Sequence, residues 1–171
     1  MDLIGECTIK CKGKDNNLKM KAITMIDPAT GWFEIKQYDD KQVISIVQIV
    51  EQTWLSRYPW PNMITYDQGS KFIGHDFWET AKDDYAINSK PTIVWNPQAN
   101  LILEWIHQVL SDHIRTYELK KYYLDDKDPW ARILSATAFA LWATYHTTLQ
   151  AMPGQLIFVS DMIMSIKHVA N

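Results

Sequence analysis

The sequence predicts a layered α/β domain, a mixed sheet with helices packed against it. Two observations carry that prediction. The first quarter of the 171-residue chain consists of short apolar or alternating segments divided by Gly, Asn, Asp and Pro. From about residue 41 onward, helix-period stretches alternate with short apolar runs, the pattern of strands joined through helices. With 47% hydrophobic residues, a chain of this length can bury one sizeable core and needs no second domain.

In chain order, Leu3 to Lys10 and Leu18 to Ile26 read as strands of a hairpin, joined by the turn chemistry of Lys12 to Asn17. Asp27-Pro28-Ala29-Thr30-Gly31 is a second turn, and Trp32 to Lys36 alternates as a third strand. Val43, Val47, Val50 and Trp54 then form the apolar stripe of a helix that Tyr58-Pro59-Trp60-Pro61 must end. Met63 to Tyr66 is a short strand, and a strand reached through a helix is most easily parallel to its predecessor.

A helix is expected from about His75 to Asp84, followed by an extended segment from Ile87 to Val94 in which Pro91 marks an edge or irregular position. Asn96 to Asn100 is a Pro-marked loop running into a helix that reaches about Leu119. Asp128-Pro129 supplies an N-cap and an N1 proline for a helix to His146, apolar on most faces and therefore internal. Met152-Pro153-Gly154 breaks the chain before a last apolar segment, Gln155 to Val159. The domain is expected to span residues 1–150, with 151–171 as a C-terminal extension of it.

Composition narrows the function classes. The N-terminus lacks a basic and an apolar signal region, and the run from Ile133 to Tyr145 is too short to cross a bilayer, so no membrane role and an intracellular location are expected. Cys7 and Cys11 are the only cysteines, too few for a disulfide framework or a zinc cluster, and read as packing residues. A net charge of −3 does not advertise a phosphate-binding surface, so any role on DNA must use local charge or a bridging metal.

Three carboxylates stand out. On the helix after Asn100, Ile102, Ile106, Val109, Leu110, His113 and Tyr117 share one side, while Glu104, Gln108, Ser111 and Arg115 lie opposite. A glutamate on such a face is most often simply solvated. Asp67 directly follows an apolar strand, where α/β sheets present functional groups, although an Asp also opens ordinary turns. Asp2 borders the first strand. Carboxylates converging from a strand, a strand end and a helix could hold two hard cations, which activate an attacking oxygen and stabilise a leaving one in phosphodiester chemistry. His113 reads as a core histidine, and His107 and His146 show no partner in the sequence.

These residues carry a resemblance. Met1-Asp2-Leu3-Ile4-Gly5, Ile26 to Glu34, Tyr66-Asp67-Gln68-Gly69-Ser70-Lys71-Phe72, and Asn96-Pro97-Gln98-Ala99-Asn100 followed by Glu104 resemble the catalytic core of retroviral and retrotransposon integrases, the Gypsy-type elements most of all. The 36 residues from 68 to 103 between Asp67 and Glu104 are close to that family's spacing.

The resemblance implies a ribonuclease H-like three-layer fold. Its mixed five-stranded sheet has three antiparallel meander strands plus parallel strands, flanked by helices. It further implies that Asp2, Asp67 and Glu104 are an acidic triad holding two Mg²⁺ or Mn²⁺ ions. Gln98, Asn100, Lys71 and Gln108 would then lie against DNA, with element ends and target DNA as partners, a homo-oligomer as the working form, and the nucleus as the location.

Departures from the family pattern set further expectations. Only Met1 precedes Asp2, so the first strand is expected to be truncated, with its aspartate fraying and the α-amino group of Met1 competing with metal for that carboxylate. Gln108 and Ser111 stand where such enzymes often place lysines, and Trp60, Trp105 and Trp142 where basic or polar residues are expected. Two function classes follow: a DNA integrase domain cleaving and joining phosphodiesters with metal, or a catalytically degenerate or co-opted remnant that only binds nucleic acid or protein.

Overall fold

The computed structural model describes residues 1–9, 18–38, 43–66, 79, 82–91, 106–112 and 129–160. Three antiparallel strands open the chain: β1 (Asp2–Ile9), β2 (Leu18–Ile26) and β3 (Phe33–Gln37), in spatial order β1-β2-β3. The meander therefore matches the sequence reading. Helix α1 (Val43–Val50) follows and continues as a π-helical turn, Glu51–Leu55, before the prolines end it.

Strands β4 (Met63–Tyr66) and β5 (Asn88–Pro91) pair in parallel, as expected for strands linked through a helix. A helical turn at 82–85 precedes β5. At the start of β1, the amino group of Met1 donates to Thr65 O at 2.8 Å, tying the antiparallel meander to β4. Helix α2 (106–112), helix α3 (Pro129–Trp142) and the short helix α4 (Pro153–Phe158) complete the described elements. Among the described residues, no helix is long and apolar enough to cross a membrane.

Alternation along β2 divides the core into two clusters. Met20 and Ala22 join Ile4, Phe33 and Ile35 beneath Ile106 and Leu110 of α2 and Trp130, Ile133, Leu134, Ala138 and Leu141 of α3. Ile23 and Met25 point the other way, onto Ile46 and Val50 of α1 with Leu3, Val47 and Trp54 at their margin. The meander is thus sandwiched between α1 and the α2/α3 pair, three layers in all.

The turn between β2 and β3 is locked locally. Asp27 Oδ1 accepts from Ala29 N at 3.1 Å and Oδ2 from Thr30 Oγ1 at 2.7 Å, and Gly31 N donates to Asp27 O at 2.8 Å. Gly31 takes φ of +69°, which a side chain would resist. The next residue, Trp32, is buried and gathers the C-terminal elements. It stacks on Trp142 of α3 at 4.3 Å and 11° and meets Phe158 of α4 edge-on at 5.3 Å.

Two expectations are corrected here. Helix α3 ends at Trp142, short of His146, because the chain turns: Thr144 N reaches back only three residues to Leu141 O, and His146 N pairs with Ala151 O. Trp142 also does not occupy a polar position. Its ring lies on Trp32, and its Nε1 donates to Phe33 O at 2.8 Å.

Candidate functional site

The register of the first hairpin decides where Asp2 points. Ile9, Thr8 and Cys7 pair with Leu18, Lys19 and Met20, a register that would bring Asp2 opposite Met25 on the α1 side. An irregularity between Ile4 and Cys7 shifts the pairing by one residue, so that Asp2 lies opposite Thr24 instead. Directly paired residues share a face, and Thr24 lies on the same side of β2 as Ala22, beneath α2. The bulge therefore turns the Asp2 carboxylate toward α2.

There it meets His107. The imidazole Nε2 stands 3.8 Å from Asp2 Oδ2 and 3.4 Å from Thr24 Oγ1. Both side chains keep a quarter of their surface, 27% for His107 and 25% for Asp2, so the pair is open to a ligand rather than sealed in the core. Asp2 Oδ1 accepts from Leu3 N at 2.7 Å, and the buried Thr24 hydroxyl donates to Asp2 O at 3.2 Å. One hydrogen bond thus holds the carboxylate and another its backbone.

This arrangement overturns the expectation of a fraying Asp2. The sheet pairs it on one side, and Met1 is bonded to Thr65 O on the other. Nor is the amino group directed at the carboxylate. Burial lowers its pKa from 8.0 to about 6, against the opposing pull of Asp2, so above pH 6 it is mostly neutral.

His107 is likewise corrected, having been read as a histidine without a partner. A signal for it was present: Glu104 and His107 are three apart, the spacing that puts two side chains on neighbouring positions of one helix face. Thr24 could not be found in the same way, since its place opposite Asp2 depends on the bulge. Gln108 is exposed on α2, where its Nε2 donates to Asp112 Oδ1 at 3.1 Å.

Asp67, Lys71, Gln98, Asn100 and Glu104 lie outside the described residues. Among the described residues, no group of three or more His, Cys, Asp or Glu side chains is gathered to hold a metal. Asp2 nevertheless fits a hard cation in its chemistry: an ionisable carboxylate, fixed by its backbone and partly open to water.

Three solved structures share the layering. A chain of the simian T-cell lymphotropic virus intasome, solved in complex with PP2A regulatory subunit B56 gamma, matches with a TM-score of 0.64 and 15% identity, over 91% of this chain and 53% of that one. The catalytic core domain of BIV integrase matches with a TM-score of 0.60 and 15% identity, over 92% of this chain and 93% of that one. The HTLV-2 integrase catalytic core domain, in complex with magnesium in a trimeric form, matches with a TM-score of 0.65 and 14% identity, over 90% and 92%.

The fold is that of a retroviral integrase catalytic core. The ribonuclease H-like fold is therefore as expected, with an antiparallel meander and a parallel pair, but among the described residues these form a three-stranded and a two-stranded sheet rather than one five-stranded sheet. This chain spans about half the length of the intasome chain and nearly all of the two isolated integrase cores. No protein-family model matches the sequence, and no curated protein does.

Proposed function

We propose that this integrase-core fold serves DNA integration, cutting and joining phosphodiesters with divalent metal, as a domain of the Gypsy-type retrotransposon class. Asp2, Asp67 and Glu104 would hold two Mg²⁺ or Mn²⁺ ions, supplying an activated oxygen nucleophile and a stabilised leaving oxygen. Gln98, Asn100, Lys71 and Gln108 would line the DNA, with a second copy of the chain completing the working assembly and the nucleus as its place of action.

The observation that carries this reading is the fixed Asp2 carboxylate at the junction of β1 and β4. Met1 is bonded to Thr65, two residues before Asp67 in the sequence, while His107, which faces Asp2 from α2, comes three residues after Glu104. A ribonuclease activity of the same fold is less well supported, because Asn96-Pro97-Gln98 before Glu104 is an integrase-like feature of the sequence.

The test is metal-dependent trimming of labelled duplex DNA ends by the full chain. Release of 3′ nucleotides in Mg²⁺ or Mn²⁺, stopped by a chelator and absent from Asp67→Ala, is the expected result. Cleavage that persists in Asp67→Ala with Glu104→Ala refutes the assignment. Binding of DNA without any cleavage would favour the remnant that keeps the fold and has lost catalysis.

A further inference from the structure

The end of the parallel pair away from Asp2 carries an exposed aromatic corner. Strand β4 runs from Met63 to Tyr66, and Thr65, near its far end, is the residue bonded to Met1. Trp60 precedes the other end and is 56% exposed, a large apolar surface to leave in water. Its ring meets that of Tyr85 edge to face, with centroids 5.1 Å apart and planes at 83°, so the two faces form a right-angled notch.

Both rings are fixed by their polar ends. Trp60 Nε1 donates to Leu55 O at 2.9 Å, and the Tyr85 hydroxyl donates to Glu51 Oε1 at 2.7 Å. Pro59 and Pro61 restrict the backbone on either side of Trp60, and Asn88 N donates to Asn62 O at 3.1 Å, tying that segment to β5. With their donors spent, the rings offer a ligand their π faces. A cation is drawn to such faces, most strongly to that of Trp.

Charge selects the same kind of ligand. The carboxylate of Glu51 stands at the Tyr85 hydroxyl. Its hydrogen bond, then burial, then the charges of Glu51 and Asp84 raise the pKa of Tyr85 above its usual 10.0. The notch is therefore negative, which repels phosphate and suits a cation. Guanidinium fits it better than ammonium, because it is flat and weakly hydrated, stacks on an aromatic face, and reaches a carboxylate with its N–H fork.

We propose that the corner formed by Trp60 and Tyr85 docks an arginine side chain of a partner protein, with Trp60 as the stacking face and Glu51 as the counter-charge. Three residues of β4, about 10 Å of strand, separate this corner from the end that Asp2 adjoins, so a docked partner leaves that end open. The proposal does not rest on the reading of Asp2 as a metal ligand.

The experiment titrates the full chain with the peptide acetyl-Gly-Arg-Gly-amide and follows the Trp60 indole N–H and Tyr85 ring resonances, the first assigned by its loss in Trp60→Phe. Saturable shifts are expected. The same peptide with citrulline, which keeps the shape and removes the charge, should bind about 10-fold more weakly. Trp60→Ala, read at Tyr85, should weaken arginine binding about 5- to 30-fold. Glu51→Gln, which keeps an acceptor for the Tyr85 hydroxyl, should weaken it about 2- to 5-fold. Equal binding of the citrulline peptide would make the corner a plain apolar patch, and equal binding of acetyl-Gly-Lys-Gly-amide would remove the preference for arginine. Saturation of the same resonances by duplex DNA would assign the corner to a different partner. Any of these results, or arginine binding that is absent from wild type or untouched by Trp60→Ala, overturns the proposal.

Discussion

Thr24 is the cross-strand partner of Asp2, and its buried hydroxyl donates to Asp2 O at 3.2 Å. One residue thus sets both the face and the backbone position of the carboxylate. Thr24→Val keeps the shape and deletes the donor, so folding should lose about 0.5–1.5 kcal/mol. Urea denaturation measures that loss. An unchanged midpoint would mean that the hydroxyl holds nothing.

Gly31 closes the turn between β2 and β3 with φ of +69°, and a Cβ built there would stand 2.7 Å from Leu149 Cδ1. Gly31→Ala should cost about 1–2 kcal/mol from backbone strain alone, with the contact adding to it. A lower melting temperature, together with loss of Trp32 burial by fluorescence quenching, is the expected outcome.

Tyr58 donates to the buried carboxylate of Glu34 at 2.5 Å. Tyr58→Phe leaves that carboxylate without this donor, and stability at neutral pH should fall by about 1–3 kcal/mol. Burial, helped by Glu34, pushes Tyr58 from 10.0 up to about 12. The folded chain therefore holds this proton more tightly than the unfolded one, so the contribution is complete below pH 10 and lost as pH rises through 12. The difference between wild-type and Tyr58→Phe stability should shrink over that window.

Much of the fold was legible because its signals are local. Strands β2 and β4 fall on the residues that their apolar runs predict, and α3 starts at the proline that follows Asp128. Other features depend on contacts between distant parts of the chain. The bulge that aims Asp2 leaves no mark that a hydrophobic pattern can show, and only the fold brings Trp32 against Trp142. Helix α4 was readable in part: Pro153 is at its first turn and Gln155 Oε1 accepts from Met152 N at 3.0 Å, a proline start and a reach-back cap that were read as a break.

Trp142 covers the outer edge of β3 by donating to Phe33 O. Trp142→Phe retains an aromatic face and loses that hydrogen bond, at a cost of about 1 kcal/mol. Trp142→Ala should cost about 3–5 kcal/mol, because it also removes the ring stacked on Trp32. Equal effects of the two substitutions in urea titrations would show that stacking contributes nothing.

The central claim is a carboxylate site that moves phosphodiester bonds, and a disintegration assay tests it most directly. A branched DNA that mimics a joined element end is offered to the full chain in Mg²⁺ or Mn²⁺, and strand resolution is followed on a gel. Wild type should resolve the branch, while Asp2→Asn, Asp67→Asn and Glu104→Gln, each shown to be folded, should fall to background. Resolution that survives simultaneous replacement of Asp67 and Glu104 by Ala would contradict the account.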